Sequence, residues 1–286
     1  MPDTRRNATY TVQPGDTLGS IARAKLGDAR RYNEIVALNP DVLPDPNRVV
    51  VGMTIELPPT NPAETPAPPA PIRGLFWSER FPGKAALTFD DGPHPVNTPK
   101  VLDILKKEGV KATFFVVGTN VRKYPELVRR IVAEGHELGS HSDNHPDYAK
   151  VDRAEVARQL TQLQAAVNEA LGRPYMLWQV RPPYGSMDSV AKEVIQSSGH
   201  MAVMWTVDSR DWRFRRDDSR IVQSVFSPTD GIKARGGVIL FHDIHSQTVR
   251  VIDDVVVRLK RERLNLVTTE QLLRQKYPES SVPAVS

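Results

Sequence analysis

Two adjacent carboxylates, Asp90 and Asp91, follow the apolar stretch AALTF at 85–89 and lead straight into Gly92 and Pro93. Like charges side by side raise one pKa when buried, so the pair is costly unless a cation lies beside it. Adjacent side chains point in different directions, so one carboxylate can ligate while the other takes a proton. His141 and His145 stand four residues apart in HSDNH. On a helical turn that spacing brings both rings to one face. Two imidazoles and a carboxylate from elsewhere, with Asp91 available, make a three-ligand site with positions open for water. The plainer alternatives are a turn and a surface pair. Arg181 opens the rigid loop RPPYG, where it either fixes a turn or pairs with a cleft carboxylate and keeps it ionised. His242 is either a core histidine or, beside an acidic partner, a protonated group able to donate.

The elements around these residues alternate. Strand patterns at 85–89, 112–117, 136–140, 177–181, 202–207, 237–241 and 264–268 are separated by helical patterns. One helix is expected over 98–108, capped by Thr98 with Pro99 at its first position. Another runs over 125–134 and stops at Gly135. Seven strands spaced by helices predict a parallel βα architecture, and at this length a closed, irregular barrel rather than an open sheet. The polar candidates sit just past the C-terminal ends of successive strands, the rim where catalytic groups collect in such folds.

The segment PPTNPAETPAPPAP at 58–71 is proline-rich and reads as a stiff spacer. The expected organisation is a small domain at 8–58, a linker at 59–73, a large domain at 74–278 and a tail at 279–286. The small domain reads as strand, helix, helix, strand. Pro14–Thr17 form its first turn, and Leu18, Ile21, Ala22 and Leu26 line one helix face. YTVQPGDTLGSIA, ALNPD and VGMTIELP resemble the LysM module, a βααβ unit. That resemblance implies binding of N-acetylglucosamine-containing glycans, with sugar contacts at Gly15, Asp16, Thr17, Leu18, Asn39 and Pro40.

In the large domain TFDDGP (88–93), HSDNH (141–145), RPPYG (181–185), DSRDW (208–212) and LFHD (240–243) resemble the five ordered motifs of the polysaccharide deacetylases. This is the NodB-homology group, carbohydrate esterase family four. The resemblance implies a distorted (β/α)7-type barrel and metal-dependent removal of N-acetyl groups. It implies Asp90 as general base and Asp91, His141 and His145 as ligands of one divalent metal, with zinc expected ahead of cobalt or another ion. Arg181 would tether Asp90, and Asp211 would orient the general acid His242. Tyr184 would offer its backbone N–H to the oxyanion, while Trp212 and Leu240 would line the acetyl pocket. His245 has no assigned role and is taken as a rim residue. Peptidoglycan is the expected polymer, with chitin or chitooligosaccharide as the competitor.

Bulk properties fit a glycan-modifying protein. The 286 residues include no cysteine, so a metal must use His, Asp or Glu. Net charge is +4, a mild bias toward anionic surroundings and too small to argue for nucleic acid. No apolar run is long enough to span a membrane, and the oligomeric state has no sequence signal. MPDTRRNATY lacks a signal-peptide pattern. The expected location is extracellular or wall-associated with an export signal removed, the alternative being intracellular. Two histidines and a carboxylate also suit a non-haem iron oxygenase, which explains neither Arg181 nor the Asp211 and His242 groups. A catalytically silent glycan-binding protein and an amidase for another C–N bond are the other rivals.

Overall fold

The computed structural model describes residues 8–26, 31–43, 49–58, 73–76, 79–227 and 236–277. The linker expected at 59–73, apart from Arg73, and the expected tail lie outside these residues. Two compact units are present, one before the linker and one after it.

In the N-terminal unit β1 (Ala8–Thr11) pairs antiparallel with β2 (Thr54–Leu57), with Tyr10 opposite Ile55. Between them lie α1 (Leu18–Leu26) and α2 (Tyr32–Leu38). The helical spacing of Leu18, Ile21, Ala22 and Leu26 puts all four into one core with Ile35, Ile55 and Leu57. Thr17 and Ser20 exchange hydrogen bonds at the start of α1, Ser20 N–H to Thr17 Oγ1 at 3.1 Å and Thr17 N–H to Ser20 Oγ at 2.9 Å.

The C-terminal unit starts with β3 (Gly74–Leu75) and β4 (Lys84–Asp90). There follow α3 (Asn97–Lys107), β5 (Thr113–Val116), α4 (Gly118–Lys123), α5 (Pro125–Ala133), β6 (Glu137–Ser140) and α6 (Arg153–Leu171). Then come β7 (Gln179–Val180), α7 (Ser189–Ser197), β8 (Met201–Val203), β9 (Val207–Asp208) and α8 (Asp218–Phe226). The chain continues through β10 (Gly237–His242), α9 (Ser246–Arg261), β11 (Asn265–Val267) and α10 (Thr269–Lys276). Every described pairing in this sheet is parallel, as helical crossovers require.

The two-residue period of the strands sorts the side chains. Ala85, Leu87 and Phe89 of β4 join Phe114, Ile239 and Phe241 in a core that includes Leu102 and Leu105 of α3 and Ile252 and Val255 of α9. Phe89 stacks on Phe114 and Phe241 at centroid distances of 5.0 and 6.0 Å. Ala86, Phe115, Val203 and Val238 form a second core on the other face. That face therefore also carries Thr88 and Asp90 of β4, with Leu240 and His242 of β10 in register beside them.

The pairing order runs β3-β8-β7-β6-β5-β4-β10-β9, with β11 also paired to β4. β9 forms one edge; β8, next to the two-residue edge strand β3 at the other, is separated from β9 on the chain by only Met204, Trp205 and Thr206. Three residues span little more than about 13 Å, so the sheet is curled into an irregular barrel. Covalent backbone, with no described ladder, joins β8 to β9. The single strand expected at 202–207 is accordingly split in two. The physical reason is Arg181: its Nε donates to Val203 O at 2.9 Å and its Nη2 to Met204 O at 3.3 Å. Those carbonyls serve the guanidinium at the point where the chain passes from β8 to β9.

Two further local expectations are corrected. Helix α3 begins at Asn97 without a side-chain cap. Thr98 instead accepts from His94 N–H at 2.7 Å and donates to Asp243 Oδ2. Residues 141–145 are not helical. Ser142 and His145 adopt left-handed backbone, φ 72° and 66°, and these two kinks rather than a helical turn bring the histidines together.

Candidate active site

Asp90 ends β4, and Asp91 follows with φ 72°. That left-handed step turns the two carboxylates apart. Asp90 is buried and its Oδ1 accepts from Arg181 Nη1 at 2.7 Å. Arg181 is 0% exposed; Nη1 also donates to Thr88 Oγ1 at 2.8 Å, and its guanidinium lies 4.1 Å from the Phe115 ring centroid. A buried guanidinium held by hydrogen bonds from all three nitrogens and stacked on a ring keeps one geometry.

Asp91, His141 and His145 each present a ligand atom, all within 4.8 Å of one another. Asp91 Oδ1 lies 3.4 Å from His141 Nε2 and 3.2 Å from His145 Nε2. Ligands about 2.0–2.1 Å from a tetrahedral ion are about 3.3 Å apart. His141 Nδ1 is 2.6 Å from Arg181 O. A carbonyl only accepts, so Nδ1 carries the hydrogen and Nε2 turns its lone pair inward. Burial raises the Asp91 pKa, but the positive charge that His141 and His145 can carry beside it outweighs burial and holds the carboxyl well below its usual range, while its buried Oδ1 has no hydrogen-bond partner among the described residues. Burial likewise lowers the His141 pKa, and the charges of Asp90 and Asp91 reverse the sign. The cluster attracts positive charge, and its donor set suits a divalent ion.

Across β10 lies a second pair. Asp211 is 0% exposed and its Oδ1 lies 2.7 Å from His242 Nδ1. Its Oδ2 accepts from His242 N–H at 2.7 Å and Thr248 Oγ1 at 2.6 Å. Burial alone would lower the His242 pKa; the Asp211 hydrogen bond and charge, then Asp90 and Asp91, push it up to about 9. His242 is a proton donor at neutral pH.

Asp90, Asp91, His141, His145 and His242 line one cavity of about 430 Å³, with Arg181 and Asp211 behind its wall. Tyr184 and Trp212 stand exposed at its rim and Leu240 lies in its wall. Tyr184 has φ 59°, and its ring meets His145 edge-on at 4.7 Å. Sequence reasoning gave no role to Trp205 and Asp208, which also line the cavity. Trp212 Nε1 donates to Asp208 Oδ2 at 3.4 Å, and burial raises the Asp208 pKa. Trp205 carried no signal because it sits inside an apparent strand. Asp208 had one, its place in DSRDW. His245 lines the cavity too, its ring 5.7 Å from that of His242.

Five of the six described non-glycine residues with positive φ, Asp91, Ser142, His145, Tyr184 and Arg210, belong to the loops of this cavity or flank them. Each such residue costs on the order of 1–3 kcal/mol and persists only where its surroundings over-determine it. Close packing does this at Gly118, where a Cβ would lie 2.1 Å from Asp143 Oδ1. It does so again at Gly92, where a Cβ would lie 2.4 Å from Asp243 Oδ1. Asp243 is fully buried, and burial raises its pKa to about 7 despite the Thr98 hydrogen bond.

The residues expected to touch sugar in the N-terminal unit are mostly committed to its own turns and core. Leu18 is buried. Asn39 is 4% exposed; its amide donates to Ile35 O and Glu56 O and accepts from Glu56 N–H, each at 2.7 Å. Its side chain ties α2 to β2 and does not face outward, contrary to expectation. Asp16 accepts from Tyr10 OH at 2.7 Å and Gln13 N–H at 2.8 Å. Gly15 is half-buried, and Thr17 and Pro40 are exposed.

Comparison with known proteins agrees with this geometry. Residues 79–203 match the family model "Polysaccharide deacetylase" and residues 10–58 match "LysM domain". A chitooligosaccharide deacetylase of Bradyrhizobium is 37% identical over 200 residues, covering 65% of this chain and 89% of that one. The peptidoglycan-N-acetylglucosamine deacetylase PgdA of Listeria monocytogenes is 39% identical over 193 residues, 68% of this chain. The match spans only 39% of the Listeria protein's length. The solved chitin deacetylase of Colletotrichum lindemuthianum superposes with a TM-score of 0.62 at 31% identity, covering 71% of this chain and 92% of that one. With ordered motifs, curled parallel sheet and carboxylate–histidine cluster all in agreement, the chain belongs to the polysaccharide deacetylase family and carries a LysM domain ahead of its deacetylase domain.

Proposed function

We propose that the protein hydrolyses the N-acetyl group of N-acetylglucosamine residues in a cell-wall glycan, with peptidoglycan as the preferred polymer. One observation carries the reading: a ligand-type trio, an arginine-tethered carboxylate and a carboxylate-paired imidazole share one cavity. Asp91, His141 and His145 would hold a single divalent ion, with zinc favoured by the carboxylate–imidazole donor set. When bound, the ion polarises the acetamide carbonyl and lowers the pKa of a water.

The rest falls to the chain's own side chains. Asp90, aimed by Arg181, takes the proton of the attacking water. The Tyr184 backbone N–H donates to the developing oxyanion, a contact of a kind worth about 3 kcal/mol. His242, kept protonated by Asp211, gives its proton to the amine nitrogen as the C–N bond breaks. Acetate and a glucosamine residue leave. Trp212 and Leu240 border the space for the acetyl methyl.

The LysM domain, acting as a weak glycan anchor, would raise the local concentration of polymer. A wall polymer as substrate would call for a protein outside the membrane. No described helix is long and apolar enough to cross one. The chitin and chitooligosaccharide deacetylases among the relatives favour chitin as the second reading. Mass spectrometry of peptidoglycan and chitin fragments decides: a loss of 42 mass units per site, about one acetyl less a proton, is expected with zinc and not with a chelator. Unchanged fragments from both polymers with zinc present would overturn the proposal.

A further inference from the structure

We propose that Gln159, on α6 and outside every motif of the site, is a positioning residue that sets the affinity of the Asp91–His141–His145 trio for its metal. The inference rests on the reading above that this trio binds a divalent ion.

Gln159 is 0% exposed. Its Oε1 accepts from two successive backbone N–H groups, Asp143 at 2.8 Å and Asn144 at 2.9 Å. Its Nε2 donates to Asn144 Oδ1 at 2.7 Å. One side chain thus grips the middle of the loop whose two ends are the histidine ligands. That loop needs gripping, because Ser142 and His145 are both left-handed without being glycine. On its other side Gly118 N–H donates to Ser142 O at 3.1 Å and Thr119 N–H to Asp143 O at 2.9 Å. Those bonds come from the turn after β5; Gln159 supplies the opposite jaw from a long helix. His141 is separately fixed by a hydrogen bond to Arg181 O, whereas the His145 backbone is held through this loop, by its N–H to Ser142 Oγ at 2.8 Å, and its ring has only edge-on contacts with Tyr184 and His141 among the described residues. Freeing the loop from α6 lets His145 swing from the other two ligands. Accepting and donating from one neutral group is what an amide can do. A thioether offers none of them, and a carboxylate offers only the acceptances.

The test measures zinc affinity by competition with a chromophoric chelator, in wild type, Gln159→Met and Gln159→Glu, using the full chain. Gln159→Met keeps the side-chain volume and is expected to bind zinc about 10–100-fold more weakly, as loss of a ligand-orienting partner does. Gln159→Glu is expected to fall between that variant and wild type. Turnover of Gln159→Met should recover when zinc is raised to saturation. A merely structural role would lower the melting temperature of the metal-free protein and leave the zinc affinity unchanged, and that result overturns the inference. Should the Met variant fail to fold, the Glu variant decides, and wild-type affinity in it overturns the inference equally. Wild-type protein that binds no zinc overturns instead the functional reading on which the inference rests.

Discussion

Replacing Asp211 by Asn removes one charge and leaves the volume of the side chain unchanged. In the native protein Asp211 faces His242 with both oxygens, and His242 is held at about 9 against an ordinary 6.5. That gap corresponds to about 3 kcal/mol of preference for the imidazolium. Asp211 supplies the two largest favourable contributions, ahead of Asp90 and Asp91. Without its charge, burial acts against the more distant carboxylates alone, and the His242 pKa returns to about 6.5 or below. At pH 8 the protonated fraction then falls from about nine-tenths to about 3%, a loss of roughly 30-fold in competent acid. The assay is acetate release from a soluble chitooligosaccharide, with kcat followed from pH 5.5 to 10. A divalent ion beside Asp91 screens that residue's share and draws the native alkaline limb somewhat below 9, but the Asp211 share remains. The Asn variant should lose activity with a midpoint at least about 1.5 pH units lower. An alkaline limb at the same pH in both proteins refutes His242 as the donor that Asp211 charges. The same linkage acts on stability. A histidine raised in the folded state stabilises fully below its unfolded pKa near 6.5, and that contribution is lost as pH rises toward about 9.

Three more outcomes are expected. His145→Ala removes one of three ligands and should weaken zinc binding at least about 100-fold while leaving the metal-free melting temperature within about 2 °C, as read by chelator competition and calorimetry. Arg181→Met leaves Asp90 buried and unpaired, which costs about 3–5 kcal/mol, or a melting temperature lower by about 10 °C in a domain of this size; an unchanged melting curve would count against the buried pair. Removal of residues 1–71 should reduce acetate release from insoluble glycan about 10²-fold more than from a soluble oligomer, since tethering acts only where polymer is held; equal loss on both would count against an anchoring role.

Much of this was legible in the chain because the strands are short and apolar and their polar residues fall at their ends. AALTF followed by two aspartates gives both β4 and the base–ligand pair, and the two-residue period gives the face they share. What was not legible depends on contacts distant in sequence. Nothing local to AVMWTV says that its carbonyls will turn to the guanidinium of Arg181, so the break between β8 and β9 cannot be read there. HSDNH looks helical by spacing, yet its left-handed kinks are imposed by the β5–α4 turn on one side and α6 on the other. Asn39 looks like a loop residue that faces sugar; its burial follows from Glu56, seventeen positions away, offering both a donor and an acceptor. Gln159 carries no local mark at all, being one polar residue on the buried stripe of an ordinary amphipathic helix.

The seam of the barrel has a consequence for how the protein can fail. Arg181 tethers the base and, through Val203 and Met204, holds the end of β8 where the chain leaves it for β9. Damage at this one position therefore cannot be confined to chemistry: an opened seam exposes sheet edge and core to proteolysis and to self-association. A variant lacking this arginine would lose folded protein as well as turnover, so the two losses would have to be measured apart.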